Sequence, residues 1–152
     1  HGRSWKSILE QNAPAARSTA LYGWFGQTVN LTDGRYTYFR PPANESNDPL
    51  YRYFLTPGSF SMRDVCPLHF YDQARLGHFL PYTDYPVIQA RVQRPRSPEW
   101  ENTMLYDLQG DYLQTQNLAG TKQEQFYEEL LIDSMKQADS PPSQFERLGL
   151  RR

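Results

Sequence analysis

The sequence predicts an α+β fold, a small antiparallel β-sheet of about four strands with a packed C-terminal helix. Three observations carry this. Short runs rich in Tyr, Val, Phe and Thr, bounded by Pro and Gly, fill the first two thirds of the chain. The pair Asp33-Gly34 stands between two such runs, where a hairpin needs a turn. The one clear stretch of helical period comes late, after Thr121, and strands followed by a helix read as α+β.

Taken in order, residues Gly2 to Glu10 read as a short helical turn or surface loop, and Asn12 to Arg17, with Pro14, as a linker. Leu21 to Thr32 alternates large with small or polar groups and reads as the first arm of a hairpin. Asp33-Gly34 is expected to form a two-residue type I′ turn, and Arg35 to Arg40 the returning arm. Period two puts Tyr36, Tyr38 and Arg40 on one face and Arg35, Thr37 and Phe39 on the other. Pro41 and Pro42 end that strand, because proline has no N–H for a ladder. Ala43 to Pro49 is a polar loop and Leu50 to Leu55 a third strand. Met62 to Tyr71 fits neither period, Tyr71 to Gly77 reads as a helical turn, and Phe79 to Tyr85 is irregular. Val87 to Val92 and Thr103 to Leu108 are the remaining strands, separated by a loop holding Pro95 and Pro98.

The helix starts at Thr121, which forms a capping box with Glu124. Phe126, Tyr127, Leu130, Leu131 and Met135 supply its apolar stripe, and Asp139-Ser140-Pro141-Pro142 stops it. A terminal turn through Phe145 and Leu148 is capped by Gly149. The whole of 1–152 reads as one domain, with 1–20 as a linker.

Composition narrows the function classes. The net charge of -1 argues against nucleic acid or an anionic membrane as partner. No apolar run approaches the ~18 residues of a membrane span. Eleven tyrosines with 38% hydrophobic residues point to amphipathic strands and to surface that meets another domain. No signal peptide is present; the chain begins at His1, so a missing natural N-terminus is expected and the compartment stays open, a cytoplasmic one being favoured. Asn30-Leu31-Thr32 and Asn44-Glu45-Ser46 fit the glycosylation sequon.

No catalytic constellation emerges. Cys66, the single cysteine, excludes an internal disulfide and reads as a small apolar thiol. No Gly-x-Ser-x-Gly elbow exists. His1, His69 and His78 are scattered without metal-ligand spacing, and no calcium loop is found. Binding groups are expected instead in Gly77 to Asp84, where His78, Tyr82 and Thr83 lie between proline bends, with Arg63 in an earlier loop. Arginine reads sulfate through paired planar hydrogen bonds, and the other three donate single ones.

The order of several segments resembles the C-terminal region of bacterial sulfatases of the alkaline-phosphatase superfamily. Those segments are His1-Gly2-Arg3-Ser4-Trp5 to Leu9, Tyr22 to Gly26, Asn30 to Arg40, Leu50 to Tyr53, Gly77 to Val87, Leu105-Tyr106-Asp107-Leu108, Asn117-Leu118-Ala119 and the C-terminal Asp139 to Leu150. Departures are His1 for an acidic residue, Trp5 for Leu, Tyr112 for a usual Pro, and Gln114 or Thr115 near a usual Glu. Cys66 precedes Pro67 directly, so it does not fit the Cys/Ser-x-Pro-x-Arg motif that matures to formylglycine.

The resemblance implies a C-terminal subdomain of a sulfuric ester hydrolase, abutting an N-terminal catalytic domain of the same polypeptide and lining its cleft for a sulfate-ester substrate. Formylglycine and a divalent metal, usually calcium, would belong to that other domain, and no catalytic or metal-ligating residue and no cofactor falls in this chain. The substrate-lining residues would be His78, Tyr82, Thr83 and Arg63. Alone, the chain is expected to expose an aromatic patch and to self-associate. Two other readings stay open: the C-terminal part of a phosphate or phosphonate ester hydrolase of the same superfamily, and a stand-alone carbohydrate-binding or interaction module.

Overall fold

A computed structural model describes residues 4–12, 14, 17–55 and 73–151. In chain order its elements are α1 (Lys6–Gln11), β1 (Ala20–Gly23), β2 (Val29–Thr32), β3 (Tyr36–Arg40), β4 (Tyr51–Phe54), β5 (Arg75–Gly77), β6 (Val87–Arg91), β7 (Met104–Asp107), α2 (Lys122–Gln137) and α3 (Pro142–Arg147). A 3-10 turn spans Pro98–Trp100. The fold is α+β, as the sequence predicts, with two antiparallel sheets rather than one. The chain forms two compact units. The first comprises His1–Trp24, Thr28–Arg40 and Asn102–Ala138; the second, Phe25–Gln27, Pro41–Glu101 and Asp139–Arg152.

In the first unit the strand order is β1-β2-β3-β7. Leu31 stands opposite Tyr38, and Tyr38 opposite Leu105. All three are fully buried. The helix α2 lies on this face: Arg40 Nη1 meets Glu128 Oε2 at 2.6 Å, and the Tyr36 and Tyr127 rings are 5.1 Å apart. The opposite face carries Tyr22, Phe39 and Tyr106, whose rings meet edge to face at 6.2 Å in each neighbouring pair. Asn30 sits between Tyr22 and Phe39 in the ladder and is buried, whereas Asn44 of the second sequon is exposed.

Two local expectations are corrected by the structure. Leu21 to Thr32 is not one strand but β1 and β2, with the chain reversing over residues 24–28; glycines at 23 and 26 interrupt the alternation. The Asp33-Gly34 turn is also longer than two residues, because Thr32 pairs with Thr37 and leaves four residues between. A type I′ turn needs positive φ at both central residues. Gly34 has it (94°), but Asp33 does not. The Asp33 carboxylate instead accepts the N–H groups of Arg35 (2.9 Å) and Tyr36 (2.7 Å), making an Asx-type loop.

Helix α2 begins where predicted. Thr121 Oγ1 accepts the Gln123 N–H at 3.3 Å. Glu124 reaches back one residue further than a capping box requires, to the Gly120 N–H at 2.6 Å. Its buried residues are Tyr127, Leu131, Ser134 and Met135, spaced i, i+4, i+7, i+8. Phe126 lies beside this stripe and is 56% exposed, and Leu130 is half-buried, so both sit outside the core face. Ser134 exchanges a hydrogen bond with Thr19 at 3.1 Å and the Tyr127 hydroxyl donates to Asp33 at 2.7 Å, so both polar groups of the stripe are satisfied.

The second unit holds the sheet β4-β6-β5. The expected helical turn over Tyr71 to Gly77 is corrected: Arg75, Leu76 and Gly77 pair with Gln89, Ile88 and Val87. Three residues are too few to display a period, so this strand exists through its partner. Residues 71 and 72, and the ambiguous Met62 to Tyr71, lie outside the described residues.

Arg147 is buried in this unit among neutral acceptors. Its Nη1 donates to the Gln27 carbonyl (3.0 Å) and to Asn47 Oδ1 (2.9 Å), and its Nε to Gln144 Oε1 (3.1 Å). Burial pushes its pKa down to about 10, so it stays protonated at neutral pH. Asn47 Nδ2 in turn donates to the carbonyls of Gly26 and Arg94. Gly149 N–H to the Glu146 carbonyl (3.0 Å) and Leu150 N–H to the Phe145 carbonyl (2.8 Å) close α3 in a Schellman motif.

Replacing fully buried Leu131 with Ala is expected to cost about 2–5 kcal/mol in urea unfolding. Phe126→Ala, on the same helix, is expected to stay within ~0.5 kcal/mol. Equal losses in the two variants would show that the core face is misassigned.

Candidate functional site

His78, Tyr82 and Thr83 all lie in the connection from β5 to β6, in the second unit. His78 is exposed and makes no hydrogen bond to another described residue. Tyr82 is 56% exposed. Thr83 Oγ1 accepts the Tyr85 N–H at 3.2 Å, and the Thr83 N–H points to the Leu80 carbonyl at 3.5 Å, so a turn bends the chain here. The turn uses the Thr83 hydroxyl as an acceptor and does not direct its hydrogen. The fourth expected residue, Arg63, lies outside the described residues, as do Cys66, His69 and His1. The structure therefore brings three of the four to one connection, without a hydrogen bond from His78 to the other two.

A row of polar side chains on the adjoining sheet has no counterpart among the expected site residues. Period two and the strand register put Tyr53, Gln89 and Arg75 on one face, side by side on β4, β6 and β5. Gln89 Nε2 donates to Tyr53 Oη (3.2 Å), and Gln89 Oε1 accepts from Arg75 Nη2 (3.1 Å). Tyr53 Oη is also 3.5 Å from Ser143 Oγ at the start of α3. Arg75 further stands 5.9 Å from the centroid of Phe79. The Phe79 ring folds back on β5 where Gly77 leaves room, since a Cβ there would be 2.9 Å from Phe79 Cζ. The signal that would have found this row is β5: read as a helical turn, it leaves Arg75 with no cross-strand neighbour.

The segment Leu105 to Ala119 belongs to the first unit. Asn117 Oδ1 accepts the N–H groups of Leu105 (2.9 Å) and Ala119 (3.0 Å), while its Nδ2 donates to the Thr103 carbonyl (3.0 Å). The Leu118 N–H reaches the Leu105 carbonyl at 2.8 Å. Asp111 accepts from Thr115 Oγ1 (2.9 Å) and the Gln116 N–H (2.7 Å), bracing the loop between. Asp107 takes a two-pronged pair from Arg35: Nε to Oδ1 at 3.1 Å and Nη2 to Oδ2 at 2.7 Å. That guanidinium holds the Asp107 carboxyl well below the usual carboxylate range. At Asp33 burial pushes the carboxyl up, but the Tyr127 hydroxyl at 2.7 Å and the backbone N–H donors outweigh it, and the net direction is down.

Among the described residues no three His, Cys, Asp or Glu side chains gather into a set able to hold a metal ion. No helix among them is long and apolar enough to cross a membrane. Comparison with protein-family models, with curated proteins and with solved structures finds no match to this chain.

The lowered Asp107 pKa fixes a pH dependence. A carboxylate depressed in the folded state contributes stability above its unfolded pKa of about 3.9, and that contribution is lost as pH falls through the folded value. Asp107→Asn should therefore be less stable than the parent chain at pH 7, with the gap narrowing below about pH 4. Thermal unfolding of both chains across pH 2–7 is the check. A gap independent of pH would remove the ion pair as its cause.

Proposed function

We propose that this chain is the C-terminal subdomain of a sulfatase, a sulfuric ester hydrolase, which packs on a catalytic domain of the same polypeptide and lines its substrate cleft. The observation that carries the reading is the use made of the segments behind the likeness. Leu105-Tyr106-Asp107-Leu108 supplies a strand, and Asn117-Leu118-Ala119, twelve residues on from Leu105, closes over that strand through Asn117. Segments put to that structural use fit a subdomain that holds a wall in place.

Calcium and formylglycine would polarise the ester and attack sulfur in the catalytic domain. The described residues offer no donor set for the metal, so no step of the reaction is assigned to them. What this chain contributes is binding: His78, Tyr82 and Thr83 on the β5–β6 connection, with Arg63, as hydrogen-bond donors toward the substrate. The exposure of His78 and Tyr82 supports that role, since a group packed in a core cannot reach a ligand.

In the complete enzyme, His78→Ala and Arg63→Ala should each weaken transition-state stabilisation by about 1–3 kcal/mol, read as kcat/KM on the natural substrate. Thermal stability should not change. If both variants keep the parent kinetics, the connection is only a connector and the wall assignment fails.

A further inference from the structure

We propose that Arg75 receives an oxyanion on the bound substrate, a sulfate or carboxylate carried by the sugar or alcohol part rather than the ester that is cleaved. This rests on the substrate-wall reading and deepens it by naming a polyanionic substrate class. Arg75 is held by a neutral relay. Gln89 is 8% exposed and spans the sheet, its amide fixed at both ends by Tyr53 and Arg75. Its orientation has one solution: turned over, the Gln89 NH₂ would face a guanidinium that has only donors. A neutral carbonyl therefore positions the guanidinium through one N–H, and this contact does not cancel its charge.

Other arginines of the same unit are differently placed. Arg91 pairs with Asp48 at 3.1 Å and Arg96 with Glu101 at 3.5 Å, while Arg94 and Arg147 donate to backbone carbonyls. Arg75 is exposed and has no carboxylate within ion-pairing distance among the described residues. The Phe79 ring flanks it, and His78 stands three residues along the chain. A planar cation that is already oriented and exposed, with no counter-charge among the described residues, loses little freedom when it takes an anion. Such forks read sulfate and carboxylate through paired hydrogen bonds. A plain cross-strand pair would need no relay behind it, yet here half-buried Ser143 and Tyr53 and buried Gln89 line up behind one guanidinium.

The test is an NMR titration of this chain, into the millimolar range, with three probes: a sulfated disaccharide, a uronate disaccharide and their uncharged counterpart. The expected result is binding of at least one charged probe and none of the uncharged one; which charged probe binds tells sulfate from carboxylate. Arg75→Ala should weaken that binding at least tenfold. Gln89→Glu should do the same with Arg75 in place, because the new carboxylate pairs with the guanidinium. Arg75→Lys, which keeps charge but not the fork, should fall between, and it decides the question if Arg75→Ala does not fold. Equal binding of charged and uncharged probes, no binding of any, or parent affinity in the folded Arg75 variants would overturn the proposal. The wall reading is judged separately, by His78→Ala and Arg63→Ala kinetics in the complete enzyme.

Discussion

The amide of Asn117 is the contact on which the first unit depends. β7 is an edge strand, and an edge presents unpaired N–H and C=O groups that invite another strand. Asn117 Oδ1 takes the Leu105 N–H, and the Leu118 N–H donates to the Leu105 carbonyl, so both outward groups of the fully buried Leu105 are filled from within the chain. The same amide fixes Thr103 and Ala119. It thereby sets where the chain leaves the sheet and where, at Thr121, α2 begins. On the other side of β7, Arg35 and Asp107 tie the strand to the β2–β3 loop, and Tyr127 Oη ties α2 to Asp33 of that loop. Ordering one side chain thus satisfies several backbone groups at once, which a single apolar residue cannot do.

The second unit solves its own problem in another way. Its buried centre includes a charge, Arg147, with amide and carbonyl acceptors in place of a carboxylate. An unpaired buried charge is costly unless its donors are satisfied. Asn47 shares the task, joining the 26–27 segment, the 94 position and α3 through one residue. The two arginines differ in their surroundings: Arg147 is buried and donates to three acceptors, whereas Arg75, the arginine proposed to meet an anion, is exposed and donates to Gln89 among the described residues.

Elements with strong local signals were legible in the sequence. α2 announced itself through Thr121, its apolar spacing and the terminal prolines. β4, β6 and β7 fell within a residue or two of their expected runs. What local pattern could not carry was pairing. Nothing in Tyr51 to Phe54 distinguishes a fourth strand of one sheet from the first strand of a second, because that choice depends on partners far along the chain. β5 was hidden for the same reason. The Asp33-Gly34 loop departs from the expected turn because a side-chain carboxylate competes with the tight turn, and a dipeptide rule ignores that competition. For the site, His78, Tyr82 and Thr83 were legible as a turn-rich polar stretch, but the Tyr53–Gln89–Arg75 row was not, since it exists across three strands.

On the proposed reading, the residues that fasten this chain are distinct from those that would meet substrate, and Asn117 belongs among the fasteners. The direct measurement is Asn117→Ala in the sulfatase that the proposal requires, with thermal stability and kcat/KM read on the same preparation. A loss of about 1–3 kcal/mol in stability with unchanged kcat/KM of the folded protein is the predicted result. Parent stability with a tenfold or greater fall in kcat/KM would contradict it, and would place Asn117 in the chemistry instead of the scaffold.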